Sequence, residues 1–286
     1  MKYLKDIDYY DIDKGIEYLQ KNKLSFYPKD DSIIIYHVYW YGDITRKQLL
    51  PIKSYLKTQD LKKTVLWVWL DFETYSEKNI NLIPKHKNIL IKKYIPNEQA
   101  KDTVLENNKI INNKIFLKLR SDLARILFLN NYGGLYFDLD MILLKDLLQL
   151  LGIEFCYCWS LKKTGNNGIL RLFKNSEECK KLINKYKLLL QKKKFTVWFN
   201  DYIFTKDINI MCFPSVLFDP VWILNDKKIK SKYSNLNNFN NFFKQTNENL
   251  NNFFLNEIYT YHWHSRNNMS IENNSYFNKF ESKLKI

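Results

Sequence analysis

The sequence is poor in the residues that punctuate or staple a chain. Its 286 residues include seven glycines, six prolines and four cysteines. So little Gly and Pro excludes collagen-like and linker-like chains. The cysteines, Cys156, Cys158, Cys179 and Cys212, form no C-x-x-C pair and are too few for a disulfide scaffold. That points to buried free thiols in a reducing compartment. Long apolar runs are also missing: no window approaches ~18 uninterrupted apolar residues. The start, Met1-Lys2-Tyr3-Leu4-Lys5-Asp6, places charges where a secretory signal needs an apolar stretch. The expectation is a soluble, cytoplasmic protein with at most peripheral membrane association. Arginine is scarce too. Only Arg46, Arg120, Arg125, Arg171 and Arg266 occur, so the formal +15, from 45 basic against 30 acidic residues, is carried by lysine. Lys is a point charge on a flexible stem, so this surplus reads as a general field that concentrates anions, not as a set of phosphate clamps. An AT-rich coding bias toward Lys, Asn, Ile, Tyr and Phe accounts for the same composition.

What is present suffices for a core. A hydrophobic share of 45% and an aromatic share of 16% exclude a disordered chain. At this length about three quarters of the unfolded surface can be buried. Length alone admits two domains of ~150 residues, but one α/β unit over residues 1–286 is the expectation. A nucleic-acid binder would interleave lysines and aromatics on one face. Here the aromatics fall in core-like strands, so no nucleic-acid partner is expected.

Tyr9, Ile12, Ile16 and Leu19 recur at helical spacing and Pro28 follows, which predicts a helical lead-in over residues 1–30. Residues 32–40, Ser-Ile-Ile-Ile-Tyr-His-Val-Tyr-Trp, have the β-branched and aromatic content of a buried strand, ended by Gly42-Asp43. A helix from about Thr45 to Thr58, strands at 64–70 and 88–91, short strands near 155–159 and 208–213, and a Lys-rich helix over 177–192 continue the pattern. Strands alternating with helices predict βαβ units and a largely parallel sheet. The Asn-rich residues 235–252 read as a surface loop and 266–286 as a tail.

Chemistry concentrates in residues 115–140. Leu119, Leu123, Ile126 and Leu127 form one apolar helical stripe. Asp122 and Arg125 lie off it and three residues apart, so both project toward one polar site. Gly133-Gly134 supplies positions tolerant of positive φ, which end a helix and turn the chain. Beyond them, a strand from Leu135 to Asp140 places Tyr136, Asp138 and Asp140 on one face by its period of two. Two carboxylates at the end of a buried strand repel unless a cation sits between them. A divalent metal with diphosphate oxygens answers that need, at the end of the sheet where α/β proteins bind ligands.

The ordered pattern Ser121-Asp122-x-x-Arg125, Tyr132-Gly133-Gly134-x-Tyr136-x-Asp138-x-Asp140 resembles the sugar-binding D-x-D region of GT-A glycosyltransferases. It is most similar to that of fungal-type initiating α-mannosyltransferases, capsule-type sugar transferases and clostridial glucosylating toxins. The resemblance implies a GT-A fold with a Rossmann-like, mostly parallel sheet flanked by helices, and a nucleotide-sugar donor. It implies Mn²⁺ or Mg²⁺ held directly by Asp140. It places Asp138 at the metal shell and at the donor's ribose or sugar, Asp122 and Arg125 at sugar hydroxyls, and Ser121 and Tyr136 among the donor contacts. His37-Val38-Tyr39-Trp40-Tyr41-Gly42 is similar to the first strand of these enzymes, which implies that Trp40, with Tyr39 beside it, stacks on the base. Asn166-Asn167-Gly168 resembles their strand behind the donor sugar, with Asn167 as the contact. Tyr259-Thr260-Tyr261-His262-Trp263-His264-Ser265 resembles their closing strand, whose His completes the metal site; imidazole with carboxylates suits Mn²⁺. Arg266 follows Ser265 where the family has a Trp nearby, which leaves His262 and His264 both open, with His262 ahead on register.

The activity implied is transfer of a hexose, from a UDP-sugar ahead of GDP-mannose, to a hydroxyl of a glycan or other acceptor, with retention of configuration. The +15 charge adds the expectation of an anionic acceptor, and Asp201 and Asp219 are candidates to touch it. The rival readings are a metal-dependent phosphodiesterase or nuclease using Asp138 and Asp140, which leaves Asp122, Arg125 and Gly-Gly unexplained, and an inactive glycan-binding GT-A scaffold.

Overall fold

The computed structural model describes residues 1–112, 117–159, 164–191, 204, 206–224, 238–250, 258–264, 266 and 268–284. Its elements are β1 (Lys2–Tyr3), α1 (Ile12–Lys21), β2 (Ile34–Trp40), α2 (Arg46–Thr58), β3 (Thr64–Asp71), α3 (Glu77–Leu82), β4 (Ile89–Tyr94), α4 (Pro96–Ala100), α5 (Leu117–Tyr132), β5 (Gly134–Phe137), β6 (Met141–Leu143), β7 (Phe155–Cys158), β8 (Gly165–Leu172), α6 (Glu177–Gln191), β9 (Met211–Phe213), α7 (Val221–Leu224), β10 (Thr260–His262) and α8 (Tyr276–Lys283).

Among the described residues, eight strands form one sheet in the order β1-β9-β7-β8-β5-β2-β3-β4. Only β8 runs against its neighbours, β5 and β7; the remaining pairs are parallel. This is the predicted α/β architecture with a mostly parallel sheet. The alternation of strand side chains sorts the core onto two faces. Tyr36 and Val38 of β2, Leu66, Val68 and Leu70 of β3, and Leu135 and Phe137 of β5 bury on one face, with Ile12 of α1 and Leu50 of α2. Tyr39, Trp69 and Tyr136 bury on the other, against Leu123, Ile126 and Leu127 of α5 and Leu182 and Tyr186 of α6. Each such side chain contributes about 1.5–3 kcal/mol of burial. α2 begins with a capping box, as its Thr-x-x-Gln start requires: Thr45 caps the helix and Gln48 Oε1 accepts from the Thr45 backbone N–H at 3.1 Å.

Two expectations need correction. The lead-in is not wholly helical: residues 2–3 add an edge strand parallel to β9, because Lys2 N–H reaches the Ile210 carbonyl at 2.8 Å. The predicted strand from Leu135 to Asp140 ends at Phe137, and Asp138–Asp140 form a turn closed by Met141 N–H on the Asp138 carbonyl at 3.1 Å. The chain then enters β6, which pairs antiparallel with β10 apart from the main sheet. Among the described residues no helix is long and apolar enough to cross a membrane.

Candidate active site

The site is built where α5 hands over to β5. The α5 stripe buries Leu123, Ile126 and Leu127 fully, while Leu119 at the first turn is half-buried. Gly133 and Gly134 then reverse the chain with φ of +68° and +111°. A Cβ on Gly134 would stand 2.0 Å from the Ile35 carbonyl oxygen, so only glycine lets β5 lie against β2 there. Buried His37 secures the junction. Its Nδ1 accepts from Trp69 Nε1 at 3.1 Å, so the proton sits on Nε2 and is donated to the Gly133 carbonyl at 2.9 Å. Burial pushes this imidazole down to about 3, and it stays neutral.

Beyond β5, Asp138 is pinned by its N–H to the Gly168 carbonyl at 2.9 Å. Its carboxylate faces Arg125 at 3.1 Å and accepts from Tyr136 Oη at 3.1 Å. Arg125 is the hub. Its Nη1 donates to the Asn167 carbonyl at 2.7 Å and to Asn167 Oδ1 at 3.0 Å, and its Nη2 lies 3.4 Å from Asp122 and 3.3 Å from Ser121 Oγ. The guanidinium also sits 4.6 Å over the Tyr136 ring. Asn167 closes the network by donating from Nδ2 to Asp122 at 3.0 Å. Burial opposes charge on Arg125, but Asp138, Tyr136 and Asp122 around it raise it above its ordinary value. Burial raises both carboxylates: Asp122 upward despite Arg125, and Asp138 to about 6, where Arg125 pulls down and Asp140 pushes up.

Asp140 meets the C-terminal part of the chain. The β6–β10 ladder sets Met141 opposite His262, and Trp263 N–H bonds the Asp140 carbonyl at 3.1 Å. That register puts His262 Nε2 2.9 Å from Asp140 Oδ1. His264, in a left-handed conformation at φ +53°, instead reaches Asp219 Oδ2 at 2.6 Å. The two imidazoles stack with centroids 3.7 Å apart. On its inner side His262 Nδ1 is 3.3 Å from Tyr157 Oη and 3.7 Å from Asp219. Burial lowers both histidines. For His262 the carboxylates of Asp140, Asp219 and Asp138 overturn this and carry it up to about 9, whereas His264 stays below its ordinary value. Ligand atoms of Asp138, Asp140 and His262 all lie within 4.8 Å of one another, as do those of Asp219, His262 and His264. A Cβ on Gly168 would crowd this space, 3.1 Å from His262 and 3.2 Å from Asp138.

A cleft of about 440 Å³ opens over Asp122, Arg125, Asp138 and Asp140. Tyr39, Trp40, Ser121, Asp122, Arg125, Asp138 and Asp140 line it, so the structure brings these sequence-derived candidates onto one surface. Asn167 and Tyr136 stand behind them, reaching the cleft only through Arg125, Asp122 and Asp138. Trp40 is fixed by its Nε1 on the Asp43 carbonyl at 3.0 Å. Tyr41, Leu117, Lys118 and Leu139 also line the cleft and were not singled out. Also missed is the support behind Tyr39: its hydroxyl donates to buried Asp71 at 2.6 Å, and Arg120 bonds both Asp71 oxygens at 3.0 and 3.2 Å and Glu73 at 3.2 Å. No local signal ties residues 71 and 120. Asp219, expected at the acceptor, is fully buried behind the histidines, and Asp201 lies outside the described residues.

Residues 71–156 match the family described as "Glycosyltransferase sugar-binding region containing DXD motif". No curated protein matches the sequence. Among solved structures, the apo bifunctional glycosyltransferase WbbM is similar at 12% identity and a TM-score of 0.53, over 91% of this chain and 51% of that one. The apo glycosyltransferase GlyE of Streptococcus pneumoniae TIGR4 is similar at 14% identity and a TM-score of 0.52, over 89% of this chain and 61% of that one. The PaToxG glycosyltransferase shares 20% identity over 68% of this chain and 72% of that one, at a TM-score of 0.48. The chain thus spans about half of WbbM and three fifths of GlyE. Residues 71–156 thus match the D-x-D-containing sugar-binding region, and the chain that carries them has the α/β fold of GT-A type seen in these solved structures.

Proposed function

We propose that this chain acts as one unit, a metal-dependent hexosyltransferase that takes a nucleotide sugar, a UDP-sugar ahead of GDP-mannose, and transfers the hexose with retention to a hydroxyl acceptor. The observation that carries the reading is one cleft lined by Asp122, Arg125, Asp138 and Asp140, with Asn167 behind it tying Arg125 to Asp122 and with His262 completing a carboxylate–imidazole cluster with Asp138 and Asp140. The Arg–Asp–Asn network offers paired donors and acceptors at fixed positions, which suits sugar hydroxyls. The cluster suits a hard divalent cation, Mn²⁺ ahead of Mg²⁺ because of the imidazole. Its donor set is two carboxylates and one imidazole with ligand atoms within 4.8 Å, a charge that a dication balances.

Asp140, Asp138 and His262 are the residues that would hold the ion, which supplies positive charge where the diphosphate leaves. Asp122 and Arg125 hold the sugar, with Asn167 fixing both and Ser121 fixing Arg125. Trp40, half-buried at the end of β2, offers a flat ring to the base, and Tyr39 is stiffened for the same surface by Asp71. The acceptor hydroxyl attacks from the leaving-group side and its proton passes to the departing diphosphate. The lysine-rich surface favours an anionic glycan as acceptor and permits loose attachment to anionic lipids.

The test is sugar release from a panel of UDP- and GDP-sugars with Mn²⁺, Mg²⁺ or chelator, for wild type and Asp140→Ala. Metal-dependent release from one donor, lost in the variant, is the expected result. Binding of glycan without any release would indicate an inactive scaffold, and cleavage of a generic phosphodiester a hydrolase.

A further inference from the structure

The polar groups behind His262 do not face the cleft. Tyr157 and Asp219 are fully buried and His262 nearly so. Asp219 Oδ2 receives His264 at 2.6 Å and Tyr157 Oη at 3.1 Å, while Asp219 Oδ1 is buried with no hydrogen-bond partner among the described residues. A carboxylate held this way is an expensive choice for packing alone. Its backbone is nonetheless fixed: Asp219 N–H bonds the Ser215 carbonyl at 2.6 Å, Ser215 Oγ bonds the Asp219 carbonyl at 3.1 Å, and the adjoining Phe218 carbonyl accepts from Thr260 Oγ1 of β10 at 2.7 Å. The carboxylate is therefore held in register with the strand that carries His262.

The protons can be assigned by elimination. A carboxylate only accepts, so the single proton of Tyr157 goes to Asp219. Tyr157 Oη, 3.3 Å from His262 Nδ1, is then left with lone pairs, and Nδ1 must be the donor between them. The opposite arrangement would set a phenol oxygen against a carboxylate oxygen with no proton between. With Nδ1–H committed inward, Nε2 is the nitrogen whose lone pair becomes available toward Asp140 when a cation replaces its proton.

We propose that Tyr157 and Asp219 are positioning residues: the relay His262 Nδ1–H to Tyr157 Oη–H to Asp219 fixes the orientation and tautomer of His262 for the divalent ion. The inference rests on the metal-dependent reading above. Fixing a ligand from its far side commonly changes metal affinity 10–100-fold. His264 helps hold Asp219 and does not itself face Asp140.

The full chain is titrated with Mn²⁺, following the free ion by electron paramagnetic resonance, for wild type, Tyr157→Phe and Asp219→Asn, each with its melting temperature in chelator. One ion per chain in wild type is expected, with affinity about 10–100-fold weaker in Tyr157→Phe at a nearly unchanged metal-free melting temperature. Tyr157→Phe keeps the ring, so it remains informative if Asp219→Asn fails to fold. In the Mg²⁺-loaded wild type, two-bond ¹H–¹⁵N spectra are expected to show His262 protonated at Nδ1 only. Unchanged Mn²⁺ affinity in Tyr157→Phe, a proton on Nε2, or two ions per chain with one at Asp219 and His264 would each overturn the relay while leaving the metal-dependent reading standing. A wild-type chain that takes up no Mn²⁺ would overturn both.

Discussion

Arg125 and Asp138, thirteen positions apart in sequence, form a 3.1 Å ion pair between α5 and the end of β5. The guanidinium is also bonded twice to Asn167, so its fork is oriented before any ligand arrives.

Replacing Arg125 separates charge from shape. Arg125→Lys keeps a charge but loses the fork, and turnover of the nucleotide sugar is expected to fall about 10²-fold or more. Arg125→Ala takes from Asp122 its buried counter-charge and leaves Asp138 only the His262 imidazole, and it is expected to destabilise the fold by about 3 kcal/mol, limited by hydration from the cleft. Denaturant midpoints beside initial rates measure both; an Arg125→Lys enzyme at wild-type rate would remove the fork from the mechanism.

Uptake of Mn²⁺ should depend on pH through His262. Without metal its imidazole is held up to about 9 by Asp140 and its neighbours, so a cation must displace the Nε2 proton at neutral pH. Affinity should then strengthen by up to about tenfold per pH unit from pH 7 toward 9 and level off above. His262→Asn should bind more weakly with a flatter profile, which titrations at pH 7, 8 and 9 would show. A steep profile retained in that variant would place the displaced proton elsewhere.

His37 sets an acid limit on stability. Its folded value, about 3, lies below the ordinary 6.5, so the unfolded chain binds the extra proton as pH falls. The contribution is full above about pH 6.5 and is lost toward pH 3 at about 1.4 kcal/mol per unit. Melting between pH 7 and 5 reads the loss, and the His37 ring should show no protonation by NMR down to about pH 4. A His37 that titrates near 6.5 in the folded protein would contradict the buried, neutral assignment.

Gly134 is the least replaceable glycine in the site. Gly134→Ala combines φ of +111° with a Cβ 2.0 Å from the Ile35 carbonyl in the β2–β5 pairing. The expected cost is about 3 kcal/mol or more, read as a lower denaturant midpoint or as insoluble expression. At Gly133, φ is +68°, which Asn tolerates better than Ala, so Gly133→Asn should be the milder of the two variants there.

Much of this protein was written locally. The runs at 34–40 and 64–71 are strands because β-branched and aromatic side chains fill both faces of a covered sheet. The apolar stripe, the paired glycines and the spacing of Asp122, Arg125, Asp138 and Asp140 lie within one short segment. Their grouping therefore follows from helical and turn geometry, and it could be read with no knowledge of the rest of the chain. The exception was the strand drawn through Asp140: period-two alternation puts Tyr136, Asp138 and Asp140 on one face, but a turn after Phe137 is what brings the carboxylates together.

Other features depended on long-range pairing. Arg120 with Asp71 joins α5 to the end of β3, and no local periodicity encodes that contact. His262 and His264 are equivalent in type and nearly so in position. The β6–β10 register, which brings His262 to Asp140 across 122 positions of sequence, decides which of them faces the D-x-D turn. Tyr157 comes from β7 of the main sheet and Asp219 from the loop bonded to β10 through Phe218, and together they reach the back of His262. Residue types and local spacing determined by themselves the fold class, the glycine hinge and the grouping of Asp122 and Arg125 on α5 with Asp138 and Asp140 just after β5, since those follow from backbone sterics and burial. The identity of the histidine and its supporting relay was decided only by tertiary structure, because a hydrogen bond needs atoms within about 3 Å and only the packed chain brings such distant residues that close.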